Sequence, residues 1–250
     1  AGGIAVGDID NDGNPDLYVG NYGANVLYRN SPDNSYADIT TPAGVAGDAY
    51  SAGAAFFDYD NDGDLDLYVA NYVEFDAANR PTDPTLCTFF GGLRVYCGPK
   101  GMVGAPDVLY RNEGDGQFSN VTQTSGVAKA NRYYGLGVIP SDYDHDGDQD
   151  LFVANDETPN VLFQNQGDST FRDVGLIAGV AYNGDGDAEA GMGVDFGDYD
   201  NDGDPDLYVT HFFTETNTLY RNEGGRFTDV TNSARLAAPT VDLLGWGTRF

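Results

Sequence analysis

The sequence predicts an all-β fold: a β-propeller built of four-stranded antiparallel blades. Three observations carry that prediction. One aspartate-rich motif occurs four times, each copy is flanked by short apolar runs of strand length, and the copies start 50, 84 and 56 residues apart. A repeat near 50 residues with four strands per unit is the pattern of propeller blades. Composition agrees. The 250 residues include 34 Asp but only 6 Glu, with 34 Gly, 17 Tyr and 2 Lys. A helical protein favours Glu and Lys over Asp and Gly, so this chain uses the short carboxylate at turns.

The four motif copies are Asp8–Val19, Asp58–Val69, Asp142–Val153 and Asp198–Val209, and all obey D-x-D-x-D-G-x-x-D-L-[YF]-V. Each follows a small, apolar first strand: Gly3–Gly7, Gly53–Phe57, Gly135–Ile139 and Gly193–Gly197. The motif's own last residues make the second strand. A third strand follows at Val26–Asn30, Val108–Asn112, Val161–Asn165 and Leu219–Asn222. A hairpin, clearest at Glu113–Gly116, leads to a fourth, such as Phe118–Thr122 or Phe227–Thr231. Blade 1 then covers about 1–41, blade 2 about 51–123, blade 3 about 134–175 and blade 4 about 190–232. Residues 244–250, Leu-Gly-Trp-Gly-Thr-Arg-Phe, match the first strand of a fifth blade and read as part of a longer propeller. The 84-residue interval places an insertion at 73–106 in blade 2. It contains both cysteines, Cys87 and Cys97, which are read as a local disulfide, with free thiols as the alternative.

The motif predicts metal chemistry. Carboxylates at loop positions 1, 3, 5 and 9, a carbonyl at 7 and a Gly at 6 for the sharp turn surround a hard cation with oxygen. The candidate residues are Asp8, Asp10, Asp12, Asn14 and Asp16 in the first loop, and Asp58, Asp60, Asp62, Asp64 and Asp66 in the second. Asp142, Asp144, Asp146, Asp148 and Asp150 form the third set, and Asp198, Asp200, Asp202, Asp204 and Asp206 the fourth. Position 12 is Val in every copy, so these are not EF-hands, which need Glu there. Without a cation, carboxylates ~4 Å apart repel by ~4 kcal/mol per pair at an effective dielectric of 20. Four Ca²⁺ sites are expected. Mg²⁺ is disfavoured by its demand for octahedral geometry and retained water.

On these loops and strands the chain resembles FG-GAP/VCBS repeats, the calcium-binding blades of integrin α-subunit heads and of many secreted bacterial proteins. Tyr96–Gly101, Gly191–Asp200 and Leu244–Phe250 resemble the cartilage acidic protein-like family that often carries an ASPIC/UnbV domain. That resemblance implies a seven- or eight-bladed calcium-bound propeller outside the cytoplasm, and for most members no known reaction. The expected location is extracellular, cell-surface or periplasmic.

A net charge of −28 leaves no basic surface for nucleic acid, and no apolar run is long enough to span a bilayer. Catalysis finds little support in two histidines, His145 inside a loop and His211 with no nucleophile beside it. Asp185, Asp187 and Glu189 read as an acid pair, or equally as a turn or a further cation site. Strand topology puts the aspartate loops and the third-to-fourth-strand hairpins on one face. The opposite face receives the insertion and Asn21, Tyr22, Asn71, Tyr72, Asn155, His211, Tyr134 and Tyr182. These residues suit a protein or glycan ligand, or else simply cap strands and pack between blades. The functional expectation is a non-catalytic binding, adhesion or assembly module. The alternatives are a lectin or polysaccharide-degrading enzyme, and a structural subunit that self-assembles through an open blade edge. Arg29, Arg111 and Arg221 on the third strands, with Gln164 in the remaining blade, are expected to approach the acidic loops.

Overall fold

The computed structural model describes residues 2–76, 88–89, 92–94, 98–99, 101–130 and 132–250. Four antiparallel sheets of four strands each account for nearly all of the regular structure. Blade 1 is β1 (Ile4–Gly7), β2 (Asp16–Val19), β3 (Val26–Asn30) and β4 (Tyr36–Asp38). In blade 2, β5 (Ser51–Phe57) and β6 (Asp66–Asn71) pair with β9 (Val108–Asn112) and β10 (Phe118–Asn120). The intervening hairpin β7 (Thr88–Phe89) and β8 (Leu93–Arg94) belongs to the insertion. An isolated bridge between Val73 and Gly104 closes the base of that insertion. Blade 3 holds β11 (Gly135–Ser141), β12 (Asp150–Asn155), β13 (Val161–Asn165) and β14 (Phe171–Asp173). Blade 4 holds β15 (Val194–Gly197), β16 (Asp206–Val209), β17 (Thr218–Asn222) and β18 (Phe227–Asp229). Cys87 and Cys97, and with them the disulfide reading, lie outside the described residues.

The fourth strands end two residues earlier than the sequence suggests. In blades 2 and 4 a side chain takes over from the ladder: the Thr122 hydroxyl accepts from Leu109 N–H at 3.0 Å and the Thr231 hydroxyl from Leu219 N–H at 3.0 Å. Thr40 does the same for Leu27 in blade 1, and there it opens a single helical turn, α1 (Thr40–Ala43). That turn ends at Gly44, whose φ of +81° is the left-handed geometry glycine tolerates best.

The hydrophobic core lies between blades, not within them. Ile9, Tyr18 and Leu27 of blade 1 pack with Leu67, Tyr110 and Phe118 of blade 2. Phe57, Tyr59 and Tyr68 pack with Phe163 and Phe171 of blade 3, and Tyr143 and Phe152 with Tyr220 and Phe227 of blade 4. This explains why every residue of β6 and β12 is buried whereas β2, at one end of the row, alternates buried and half-buried. Innermost strands lie side by side, β1 against β5, β5 against β11 and β11 against β15. Gly3 shows why these strands are glycine-rich: a Cβ there would stand 2.7 Å from the backbone of Gly53.

Candidate metal centres

Each aspartate loop builds the same hydrogen-bond cage. The position-1 carboxylate accepts from the backbone N–H groups of positions 5 and 6, for example Asp12 and Gly13 onto Asp8 at 3.0 and 2.8 Å. The same pair recurs on Asp58, Asp142 and Asp198. Position 5 accepts from the N–H of position 7 in all four loops. The position-9 residues Asp16, Asp66, Asp150 and Asp206 are buried and clamp two elements at once. One oxygen accepts from the position-2 N–H and the other from the asparagine ending the third strand, as Asp66 does for Tyr59 at 3.0 Å and Asn112 at 2.8 Å. Two tight backbone turns make the cage possible. Gly13, Gly63, Gly147 and Gly203 at position 6 have φ between +87° and +98°, and Asn11, Asn61, His145 and Asn201 at position 4 lie between +57° and +63°. Asparagine is the non-glycine residue best suited to that region.

The carboxylates converge. In loops 1 and 4 one oxygen each from Asp8, Asp10 and Asp16, or from Asp198, Asp200 and Asp206, lie within 4.8 Å of one another. In loops 2 and 3 the sets are Asp58, Asp60 and Asp62, and Asp142, Asp144 and Asp146. Together these trios use positions 1, 3, 5 and 9, and each cluster could hold a metal ion. The donor set fits a hard cation, and the clearest sign is at position 3. The Oδ1 atoms of Asp10, Asp60 and Asp144 are buried with no hydrogen-bond donor. A buried, unpaired carboxylate oxygen is costly unless something positive meets it. Burial, with the neighbouring carboxylates adding, pushes Asp10 and Asp60 above the ordinary carboxylate range. Burial likewise takes Asp66 and Asp150 up to about 8 despite the backbone N–H groups that oppose it.

Position 7 behaves differently. Asp64 and Asp148 turn their side chains to the preceding blade, accepting from Asn11 at 2.7 Å and Asn61 at 2.6 Å. Asp204 stands 3.4 Å from His145, whose Nε2 also lies 3.1 Å from the Gly203 carbonyl. Asn14, in the first blade, folds onto Asp12 of its own loop at 2.9 Å. Position 4 therefore links each loop to the next, a role that sequence reasoning missed. The recurrence of Asn at three of the four copies was the available signal.

Of the third-strand residues, Arg29 reaches Asp10 at 3.7 Å and Gln164 reaches Asp144 at 2.7 Å. Arg111 instead forks onto Glu113, the residue just past the end of its strand, and Arg221 donates through one nitrogen to Glu223 at the equivalent position. The nearer carboxylate wins in both cases.

On the opposite face, Asn71, Asn155 and His211 are buried, and Asn21 is half-buried. All four side chains donate to a backbone carbonyl of the turn that follows: Asn21 to Ala24, Asn71 to Pro106, Asn155 to Pro159 and His211 Nδ1 to Thr216. They brace the connections between the second and third strands. The aromatic rings remain. Tyr22, Tyr50, Tyr72 and Tyr134 form a continuous edge-to-face row with centroids 5.5, 5.5 and 6.2 Å apart, and Phe75 adds to it beside Tyr22. Tyr22 is 63% exposed and Phe75 42%. Tyr182 is half-buried, and its carbonyl accepts from Tyr220.

Repeated aspartate cages on four-stranded blades define a class of repeat protein, and the FG-GAP-like repeat family matches this chain over residues 8–69, 95–153 and 142–209. The chain belongs to that family. It is similar to cartilage acidic protein 1 of Xenopus tropicalis, 33% identical over 119 residues that are 45% of this chain and 17% of that protein. It is also similar to cartilage acidic protein 1 of Mus musculus, 37% identical over 90 residues that are 35% of this chain and 13% of that one. The matched stretches thus span less than a fifth of either relative. A solved structure of an Agrocybe aegerita lectin, described for specific recognition of non-reducing terminal N-acetylglucosamine, aligns over 89% of this chain and 64% of its own. The identity there is 18% and the TM-score 0.32. No helix among the described residues is long and apolar enough to cross a membrane.

Proposed function

We propose that the chain is an extracellular, calcium-stabilised set of propeller blades that acts as a binding or assembly module without catalysis of its own. The observation that carries the calcium reading is the buried, donorless Oδ1 of Asp10, Asp60 and Asp144, each inside a cage of oxygen ligands only. A cation of +2 charge meets that need, and the absence of imidazole or thiolate from each trio favours Ca²⁺ over transition metals. Asp8, Asp10, Asp12 and Asp16 and their counterparts would hold it. Its contribution would be to neutralise charge and fix the loop. The test is thermal unfolding in EGTA, then in excess Ca²⁺ or Mg²⁺. A site with free Ca²⁺ at ~100 times its Kd adds ~2.7 kcal/mol, so four sites should raise the melting temperature by many degrees. An identical melting curve in chelator overturns the reading.

The binding reading rests on the row Tyr22, Phe75, Tyr50, Tyr72 and Tyr134. Exposed rings beside carboxylates suit a glycan or a peptide. A glycan array and a peptide array probed with the Ca²⁺-loaded protein, alongside Tyr22→Ala and Phe75→Ala variants, test it. Binding that both variants leave unchanged removes this face from consideration. The assembly reading rests on a separate observation, the flank of blade 4, where Tyr199, Tyr208, Leu219, Leu236 and Phe250 line an open cavity of about 440 Å³.

A further inference from the structure

Blade 4 departs from the other three at positions that meet in space. Two residues past the last motif valine, blades 1 to 3 carry Asn21, Asn71 and Asn155, and blade 4 carries His211. The four are structurally equivalent. Each donates its backbone N–H to the side chain of a later residue, His211 to Asn217, Asn21 to Asn25, Asn155 to Asn160 and Asn71 to Asp107. The His211 Nδ1–H then reproduces the asparagine amide by donating to the Thr216 carbonyl at 2.9 Å. What histidine adds is Nε2. With Nδ1 bearing the proton, Nε2 is a lone pair, buried and without a hydrogen-bond partner.

That lone pair faces Glu189, whose Oε2 lies 3.6 Å away. Glu189 is a second departure. Gly191 N–H bonds to the carbonyls of Asn155 and Glu189 just as Ser51 N–H bonds to those of Asn21 and Ala49, so Glu189 stands where blade 2 has Ala49. Thr218 is a third. It pairs with Val209 in the register where Val26, Val108 and Val161 pair with their own motif valines. Its hydroxyl donates to Glu189 Oε2 at 3.0 Å. Three replacements of apolar or amide residues thus converge on one point. Glu215 and Asp229 add negative charge nearby, and among the described residues no Lys or Arg pairs with any of the three acids.

We propose that His211 Nε2 and Glu189 bind one divalent transition-type cation of the zinc class, at a site present in blade 4 alone and chemically distinct from the oxygen-only loops. Two ligands ~2.1 Å from one tetrahedral ion stand ~3.4 Å apart, close to the 3.6 Å between His211 Nε2 and Glu189 Oε2. Imidazole with carboxylate selects Zn²⁺ over Ca²⁺. The outer contacts are those a metal site uses: Nδ1–H to a carbonyl fixes the ring and tautomer, and Thr218 and Asn183 hold the carboxylate. Glu189 is the less buried member, its side chain 10% exposed, so it marks the side from which ion and water arrive.

The test uses the chain with its loops saturated in Ca²⁺. Zn²⁺ is titrated calorimetrically, and Co²⁺ is added in parallel to read d–d absorption. One Zn²⁺ per chain is expected, with a visible Co²⁺ band. His211→Asn installs the residue the other three blades use, and Glu189→Ala the residue of blade 2, so both preserve the repeat. Each should lose that equivalent and the Co²⁺ band while His145→Asn keeps them. Absence of a Zn²⁺ equivalent in the parent chain overturns the proposal. So does its survival in both blade-4 variants, or its loss in His145→Asn, which would place the ion on the exposed His145–Asp204 pair. If one variant fails to fold, the other gives the same reading.

Discussion

Asp60 and Asp66 sit in one loop, six residues apart, and the structure gives them opposite energetic roles. Asp66 accepts two backbone N–H groups with its two oxygens, so Asp66→Ala strands buried donors whether or not a cation is bound. A loss of about 2–5 kcal/mol is expected in EGTA and in Ca²⁺ alike. Asp60 has a buried oxygen with no donor. Asp60→Asn should therefore be neutral or stabilising in EGTA and destabilising only when Ca²⁺ is present. Denaturant melts of both variants under both conditions check the contrast, and equal losses in EGTA would refute it. The pH response follows from the same residues. Asp66 and Asp150 are pushed up to about 8 in the folded chain by burial, against an ordinary value near 4 in the unfolded one. A raised folded value means the fold favours the protonated acid. That contribution is complete below about pH 4 and is lost as pH rises through 8. In EGTA the melting temperature should therefore fall from pH 5 to pH 8.5. With saturating Ca²⁺ the cation takes the proton's place, and the same rise in pH should preserve or raise it. The spacing of the aspartates was legible in the sequence because each position is fixed by the backbone turn. Which oxygen lacks a partner was not, since that depends on the neighbouring strand.

At the level of the element, the third-strand asparagines join one blade to the next. Asn112 donates to the carbonyls of Ile9 and Leu65, Asn165 to Tyr59 and Gln149, and Asn222 to Tyr143 and Pro205. One side-chain amide thus ties the aspartate loop of the preceding blade to the loop of its own. Its oxygen then accepts from the hairpin N–H of Gly114, Gly167 or Gly225. Asn30, the equivalent in blade 1, has an unpartnered Oδ1, and the reason is covalent: Pro32 occupies the place of Gly114 and has no N–H. Asn165→Ala should cost about 2–4 kcal/mol from three side-chain bonds, one buried and two part-buried, and Asn30→Ala well under half of that. Equilibrium unfolding of the two variants in Ca²⁺ measures the difference. If Asn30→Ala costs as much as Asn165→Ala, the cross-blade account fails. The sequence displays the Leu-Tyr-Arg-Asn strand plainly, yet its asparagine reads there as a strand terminus. Its partners lie as far as 106 residues away, beyond the reach of any local pattern. The same distance separates the strands, which were legible from period-2 alternation and turn glycines, from the interblade cores, which were not.

Across the whole molecule, neighbouring blades share three apolar interfaces, and the row ends in two flanks, of which that of blade 4 is partly covered by Phe250 packing on Tyr208 and donating its N–H to Asp195. Ile9, Tyr59 and Tyr143 at loop position 2 are buried because the next blade's Phe118, Phe171 or Phe227 packs beside them. Tyr199, their counterpart in blade 4, is 38% exposed. At the other flank Tyr36 stands at the register of those phenylalanines, paired with Asn30 as Phe118 is with Asn112, and it is exposed. Ile4 and Val6 beside it are 60% and 61% exposed, whereas Ala54 and Phe56, their equivalents in blade 2, pack into a core. The outer parts of the two flanks are therefore the complementary halves of one repeated contact, donor asparagine and aromatic on one side, position-2 carbonyl and pocket on the other, while the inner place beside β15 is taken by residues 246–250 of the same chain. Two surfaces that fit each other but cannot meet within one row generate head-to-tail association. The expected outcome is concentration-dependent self-association of this chain in Ca²⁺, read by sedimentation velocity from micromolar to near-millimolar protein. Tyr36→Lys on one flank, or Tyr208→Lys on the other, should each return it to a single sedimenting species. Such substitutions touch no aspartate cage, so Ca²⁺ binding should be unaltered. A parent chain that sediments as a monomer throughout that range, with both flanks still accessible to a polar probe, would show that the exposed apolar area is too small to hold two copies together.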